Sequence, residues 1–295
     1  MQISNSEVET EQACQWKHYM AFGLGLQKNP LSRPLRTGIF GHALLREYYD
    51  ALKGGYSARD AISIAHAIAV DEKNRNDYGR DVCHDVGLLF LNYVIHYADD
   101  VADFEIEEVE QTRVVNLEDD LDFRFTPDLL VRLKTDIHVT LVSGAFMTFP
   151  SGSYLLFDHK FSSRPFTQAE MLMNAQLPKY IWGLRELGFN VSGACFNQVN
   201  YTGNSREPFQ RSWVAPSEER IQGFMKQHLK AARRIAANRK LPVAEYRKVA
   251  EKSFNKLQCG HCAFRIPCSI DINGGDISKI LATDYVENTY VRQSG

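Results

Sequence analysis

In the stretch LLFDHKFSS, residues 155–163, a carboxylate and an amine stand two positions apart within an apolar run. In a strand, Asp158 and Lys160 share one face, and Phe157 and Phe161 share the other. The pair suits two chemistries: a cross-strand ion pair near a sheet edge, or a metal-binding acid beside an amine that acts on water and phosphate. Asp128, in TPDLLV, precedes it by a hairpin's length among apolar neighbours, where an unpaired carboxylate is costly to bury. It reads as a turn residue after Pro127 or as a second acid of the same site. Two converging carboxylates repel each other unless a hard divalent cation, Mg²⁺ or Mn²⁺, sits between them. His42 in GIFGH reads as a structural histidine or as a further ligand. Gln176 and Tyr180 in NAQLPKY share one helical face, either as plain amphipathic surface or as polar heads offered to a substrate.

Six cysteines are present. Cys259, Cys262 and Cys268 crowd into CGHCAFRIPC, and Cys14 lies near the other end of the chain. The N-terminus lacks the basic-then-apolar pattern of a signal peptide, so a soluble, cytoplasmic protein is expected, and metal binding is the better reading of the cluster than disulfides. Clustered thiolates suit zinc or an iron–sulfur cluster, and His261 offers zinc an alternative ligand. Cys83 and Cys195 read as small buried apolar residues. No apolar run is long enough to span a membrane. With 44% hydrophobic and 24% charged residues the chain is neither disordered nor fibrous. Its net charge of −2 advertises no global attraction for nucleic acid, so contact with DNA must be local. The helix expected over Pro216–Asn238 carries Lys226, Lys230, Arg233 and Arg234, with Arg239 and Lys240 just beyond. It is a solvated face or a phosphate track.

The elements that position these residues follow from periodicity. EVETEQACQWKHYMAFGLGL reads as a helix ending at Gly23 and Gly25. A second helix starts near Gly41 and closes at Gly54–Gly55, and two more occupy 50–102 as a helical insertion. From about residue 103 the period changes to two, giving strands in FEIEEVEQTRVVNL, LDFRFTPDLLVRL, HVTLVSGAFMTF and SYLLFDHKFS. TQAEMLMNAQLPKYIWGLRELG reads as one helix kinked by Pro178, followed by strands at VSGACFNQVNY and Phe209–Val214. The expectation is an α/β fold over 1–295: a mixed central sheet flanked by helices, with 255–270 as the C-terminal cysteine segment.

In order, G-x-x-x-H (Gly38 to His42), P-D (Pro127, Asp128), D-x-K (Asp158, Lys160) and Q-x-x-x-Y (Gln176, Tyr180) resemble the PD-(D/E)XK nuclease superfamily. The histidine before the acids and the Q-x-x-x-Y after them are similar to its RecB-type exonuclease branch. Cys14 and the C-terminal trio resemble the iron–sulfur members, among them the CRISPR-associated adaptation exonucleases, the AddB nuclease domain and phage-encoded relatives. Phe125, where the family often has glycine, and Pro178 depart from the pattern.

The resemblance implies a restriction-endonuclease-like core and a metal-dependent DNA exonuclease acting in recombination, repair or CRISPR adaptation. His42, Asp128, Asp158 and the backbone carbonyl of His159 would hold Mg²⁺ or Mn²⁺. Lys160 would be the catalytic amine, and Gln176 and Tyr180 would touch the DNA backbone or order the lysine. Cys14, Cys259, Cys262 and Cys268 would hold a structural [4Fe–4S] cluster joining the chain ends. Partners would be DNA with a free end or single-stranded DNA, with a second copy or a recombination or CRISPR protein as a further possibility. The alternative is a catalytically idle DNA-binding or scaffolding subunit with a zinc or iron–sulfur staple.

Overall fold

Three strands of the period-two region join two later strands in a five-stranded mixed sheet. The computed structural model describes residues 1–202 and 207–288. The chain divides into two compact units. One comprises Ser32–Arg113 and Thr126–Phe224; the other comprises Met1–Leu31, Val114–Phe125 and the chain from Met225 onward.

In the first unit the strand order is Phe209–Val214, Val191–Asn200, Tyr154–Ser162, Leu129–Leu133, Phe104–Val109. Tyr154–Ser162 is parallel to Val191–Asn200 and antiparallel to Leu129–Leu133. A strand at the centre of such a sheet is covered on both faces, which explains its unbroken buried run from Leu155 to His159. Leu155 and Phe157 join the core with Phe40, Leu44 and Tyr48 of the helix Arg33–Lys53, and with Val86 and Phe90 of Arg80–His96. Burying a side chain such as Phe157 contributes about 2–3 kcal/mol. The region expected as a helical insertion holds helices Ala58–Val70, Glu72–Tyr78 and Arg80–His96.

A polar network runs through this core. Asn197 donates to the Tyr93 hydroxyl at 2.8 Å, and Tyr93 lies 3.0 Å from the Tyr49 hydroxyl. Arg211 reaches Tyr93 and Asp100 and lies 3.6 Å from the centre of the Tyr97 ring. A buried guanidinium is tolerated because its donors find acceptors.

Several expected boundaries move. The helix read as starting near Gly41 begins at Arg33, with Pro34 in its first turn, so His42 sits mid-helix. Proline is suited to that turn because its missing N–H would have had no intrahelical partner. TQAEMLMNAQLPKYIWGLRELG forms two helices, Gln168–Leu172 and Gln176–Glu186. Asn174 Oδ1 accepts from the N–H groups of Gln176 and Leu177, starting the second helix there. Pro178 therefore lies in a first turn and causes no kink. FEIEEVEQTRVVNL breaks into Phe104–Val109 and Arg113–Glu118 at a turn where Glu110 has φ 42°. HVTLVSGAFMTF folds into a separate hairpin, Ile137–Thr140 with Phe146–Phe149.

The second unit holds a three-stranded sheet in which Leu121–Phe125 lies between Gln2–Ser4 and Arg113–Glu118. The expected N-terminal helix is interrupted at Cys14, with Asn5–Ala13 before it and Gln15–His18 after it. Leu26–Lys28 pairs antiparallel with Tyr285–Glu287. Trp16, Tyr19, Met20, Tyr246 and Phe264 form a small core beneath this ribbon.

Candidate active site

The first unit brings the expected acid, amine and imidazole positions together. Antiparallel pairing of Leu129 with Phe157 places Asp128, just before its strand, beside the Asp158–Lys160 segment. Asp128 Oδ2 accepts the backbone N–H of His159 at 2.7 Å. Asp158 is 2% exposed. Its Oδ1 accepts from Lys160 Nζ at 2.8 Å, while its Oδ2 is buried without a hydrogen-bond partner. Lys160 also donates to Gln176 Oε1 at 3.2 Å. Gln176 can do this because it is the first residue of its helix, at the end facing the strand's polar side. Tyr180, one turn on, is buried.

His42 projects from the mid-point of Arg33–Lys53, with Nδ1 3.5 Å from Asp128 Oδ1. Its ring meets those of Phe161 and His159 at centroid distances of 5.8 and 6.1 Å. The helix approaches this closely because position 41 is glycine: a Cβ there would stand 2.4 Å from the Phe161 ring. Gly38, the glycine of the expected motif, faces open space. The His159 side chain turns into the core, where it stacks on Tyr49 and its Nδ1 lies 2.8 Å from Asn197 Nδ2. Burial pushes the His159 imidazole well below its ordinary pKa, with His42, Arg211 and Lys160 adding to the push, so it is neutral. Burial raises the Asp128 carboxyl; Asp158 raises it further, while His42, Lys160 and the His159 N–H oppose.

One acid at this site escaped the sequence reading. Glu110 Oε1 lies 3.9 Å from His42 Nδ1, and its Oε2 lies 3.6 Å from Arg46. Its only sequence signal is position at the end of an alternating run, which does not distinguish it from Glu107 or Glu108.

Among the described residues, no three histidine, cysteine or carboxylate side chains are spaced to hold a metal ion as they stand. The donor chemistry nevertheless fits Mg²⁺ or Mn²⁺: carboxylate oxygens with one imidazole, and a buried Asp158 oxygen lacking any partner.

In the second unit all four expected cysteines line one cavity of ≈ 510 Å³, together with Trp16, Lys17 and His261. Cys14 and Cys259 share one residue: Cys14 Sγ accepts the Ser253 N–H at 3.4 Å, and the Cys259 thiol donates to the Ser253 carbonyl at 3.1 Å. Burial raises the Cys262 thiol and takes that of Cys268 to about 11; the neighbouring cysteines reinforce both shifts, and Lys252 opposes that of Cys268. Four thiols on one cavity fit a cluster or zinc by donor type. Cys83 and Cys195 are fully buried, as expected of small apolar residues.

The helix Glu218–Arg239 uses much of its positive charge internally. Arg233 makes two hydrogen bonds to Glu118, and Arg234 holds Glu11 at 2.7 and 2.8 Å. Lys226 and Lys230 are exposed.

A family model described as the PD-(D/E)XK nuclease superfamily matches residues 2–269. No curated protein matches the chain. Among solved structures, one titled "Crystal structure of SSO0001" aligns over 86% of this chain and 94% of its own, at 12% identity and a TM-score of 0.34.

Proposed function

Because the chain belongs to the PD-(D/E)XK nuclease superfamily, we propose that it is a DNA exonuclease of the RecB-type branch, dependent on Mg²⁺ or Mn²⁺ and stapled by a [4Fe–4S] cluster. Its setting would be recombination, repair or CRISPR adaptation. The observation that carries the catalytic reading is the division of labour at Asp158. One oxygen fixes Lys160, and the other is buried and unsatisfied. An orphaned buried carboxylate oxygen is costly unless a ligand completes it.

Asp158, Asp128, His42 and the His159 carbonyl would hold the divalent ion. When bound, the ion supplies positive charge against the phosphate and lowers the pKa of an attacking water. The chain's own part is positioning. Lys160, fixed between Asp158 and Gln176, presents an ammonium to the water and to the charge that develops on phosphorus. The His159 N–H fixes the Asp128 carboxylate, and the neutral His159 ring locks the strand through Tyr49 and Asn197. Gln176 acts through Lys160, and Tyr180, one turn on, would order the lysine or touch the DNA backbone.

The shared cavity of Cys14, Cys259, Cys262 and Cys268 supports the cluster reading, with His261 as the feature favouring zinc. The test is anaerobic purification followed by absorption spectroscopy, iron and zinc analysis, and incubation with end-labelled linear DNA and closed circles. The expected result is a brown protein that degrades ends with Mn²⁺ or Mg²⁺, stops with EDTA and spares circles. DNA binding without cleavage would establish the idle-subunit alternative, and a colourless zinc protein would replace the cluster.

A further inference from the structure

We propose that Glu110 is a further acidic ligand of the active-site divalent ion, an inference that rests on the metal-dependent reading above. Its position is fixed by the sheet. Val109 pairs with Leu129, and the Glu110 N–H donates to the Asp128 carbonyl at 3.0 Å. The two acids therefore leave neighbouring strands at the same edge, held by one backbone hydrogen bond.

The backbone of Glu110 is unusual. At φ 42° it occupies the left-handed region that glycine, asparagine and aspartate tolerate best. Glutamate has no local advantage there, so the side chain supplies the reason for its presence. That side chain converges with Asp128 on one atom. Glu110 Oε1 and Asp128 Oδ1 lie 3.9 and 3.5 Å from His42 Nδ1. Both separations exceed a good hydrogen bond, so neither acid is tied to the imidazole. Two carboxylates thus face one imidazole nitrogen, and Asp158 nearby carries its unpartnered buried oxygen. Oxygen donors with one imidazole suit Mn²⁺ and Mg²⁺.

Arg46 contributes the counter-charge. It sits one turn beyond His42 on the same helix and lies 3.6 Å from Glu110 Oε2. Its other acid, Glu47, is 3.1 Å away, so it can yield Glu110 to an incoming cation while keeping a partner.

The experiment is a Mn²⁺ titration of the full chain by electron paramagnetic resonance and calorimetry, comparing wild type, Asp158→Asn, Glu110→Gln and Glu110→Gly. Gln keeps the shape without the charge, and Gly suits the left-handed backbone and keeps the turn. The expected result is tight Mn²⁺ binding by wild type, lost in Asp158→Asn and weakened at least ~10-fold in both Glu110 variants. Carbodiimide labelling of the unmutated protein gives an independent reading, in which Mn²⁺ should protect Glu110 several-fold. Wild-type affinity in Glu110→Gln, or undiminished labelling of Glu110 in the presence of bound Mn²⁺, overturns the proposal while leaving the nuclease reading intact. A wild-type protein that binds no Mn²⁺ overturns both.

Discussion

The two units place their functional side chains by different means. In the sheet unit the site residues are fixed on regular structure or at its ends. Asp128 is tied to the His159 N–H, Lys160 is held between Asp158 and the first residue of a helix, and His42 rides a helix of 21 residues. A large apolar core lies directly beneath. In the cysteine unit the thiols sit at joints and on short helices, Cys268 in one of eight residues. Cys14 separates two helices, Cys259 lies in a helix of five residues, and Phe254 and Leu257 beside them are 78% and 81% exposed. The first region sets its donors on a packed sheet and helix, whereas the second has a smaller core and more exposed surroundings, so in the cluster reading proposed above a cross-link is what fixes its thiols. Chemistry and stability should therefore separate on mutation, one by unit.

The largest expected effect tests the sheet side. Lys160→Ala should reduce cleavage of end-labelled DNA by roughly 10³-fold. Its melting temperature should stay near that of wild type, since Lys160 sits at the edge of the core and its removal opens no large cavity. Mn²⁺ binding should persist. Undiminished cleavage, checked against mock-purified contaminants, would remove the lysine from the mechanism and blur the contrast.

Cys14→Ala and Cys268→Ala test the other side. Each should lose the visible absorbance and the bound iron entirely, and open residues 251–288 to protease, because the ends of the unit are no longer pinned. Cys83→Ala and Cys195→Ala remove thiols of the same kind from the packed core. They should keep the iron and cost about 1 kcal/mol each. Loss of iron on changing Cys83 would show that the cavity is not the cluster site.

A subtler test asks how much the sheet unit gives up to keep its acids. Burial raises the Asp128 carboxyl above its unfolded value. The stability linked to it is therefore present below the unfolded pKa and lost as pH rises through the higher folded one. In metal-free protein at neutral pH, Asp128 is a net cost. Asp128→Asn should raise the metal-free melting point and abolish the further rise that Mn²⁺ gives wild type. A variant less stable than wild type without metal would show that its hydrogen bond with His159 outweighs the buried charge.

How much of this was legible in the sequence follows from the range of the interactions. Asp158 and Lys160 were readable because alternation is local and period two leaves them on one face. Their link to Gln176 was readable as an ordered spacing, but the reason it works, a helix beginning at that residue under Asn174, was not. Glu110 was invisible because it depends on strand register across nineteen intervening positions' worth of chain, here the pairing of Val109 with Leu129. The same holds for Gly41, whose need for a bare Cα comes from Phe161, and for Arg233 and Arg234, whose partners Glu118 and Glu11 lie far off in sequence. Local pattern names the candidates; register and packing decide which of them meet.

The smallest expected effect probes a segment of the sheet unit held by surface charge. The helix Gln168–Leu172 leads into Gln176 and is started by a reciprocal cap between Thr167 and Glu170. Arg164 beside Glu170, with the Thr167 N–H and hydroxyl, holds that carboxyl down at about 2. A depressed pKa stabilises above the unfolded glutamate value, and the contribution is lost as pH falls from the ordinary range of about 4.3 toward 2. The pair is exposed, so solvent screening keeps its contribution to stability small. Glu170→Gln should therefore speed amide exchange of Met171 and Met173 by about threefold relative to wild type at pH 5, with the gap closing toward pH 2. Cleavage at neutral pH should fall by less than about threefold, because Asn174 still starts the next helix and Gln176 still receives Lys160. A loss as large as that of Lys160→Ala would mean that this surface cap, and not the core, sets the catalytic geometry, and the contrast between the two units would fail at its strongest point.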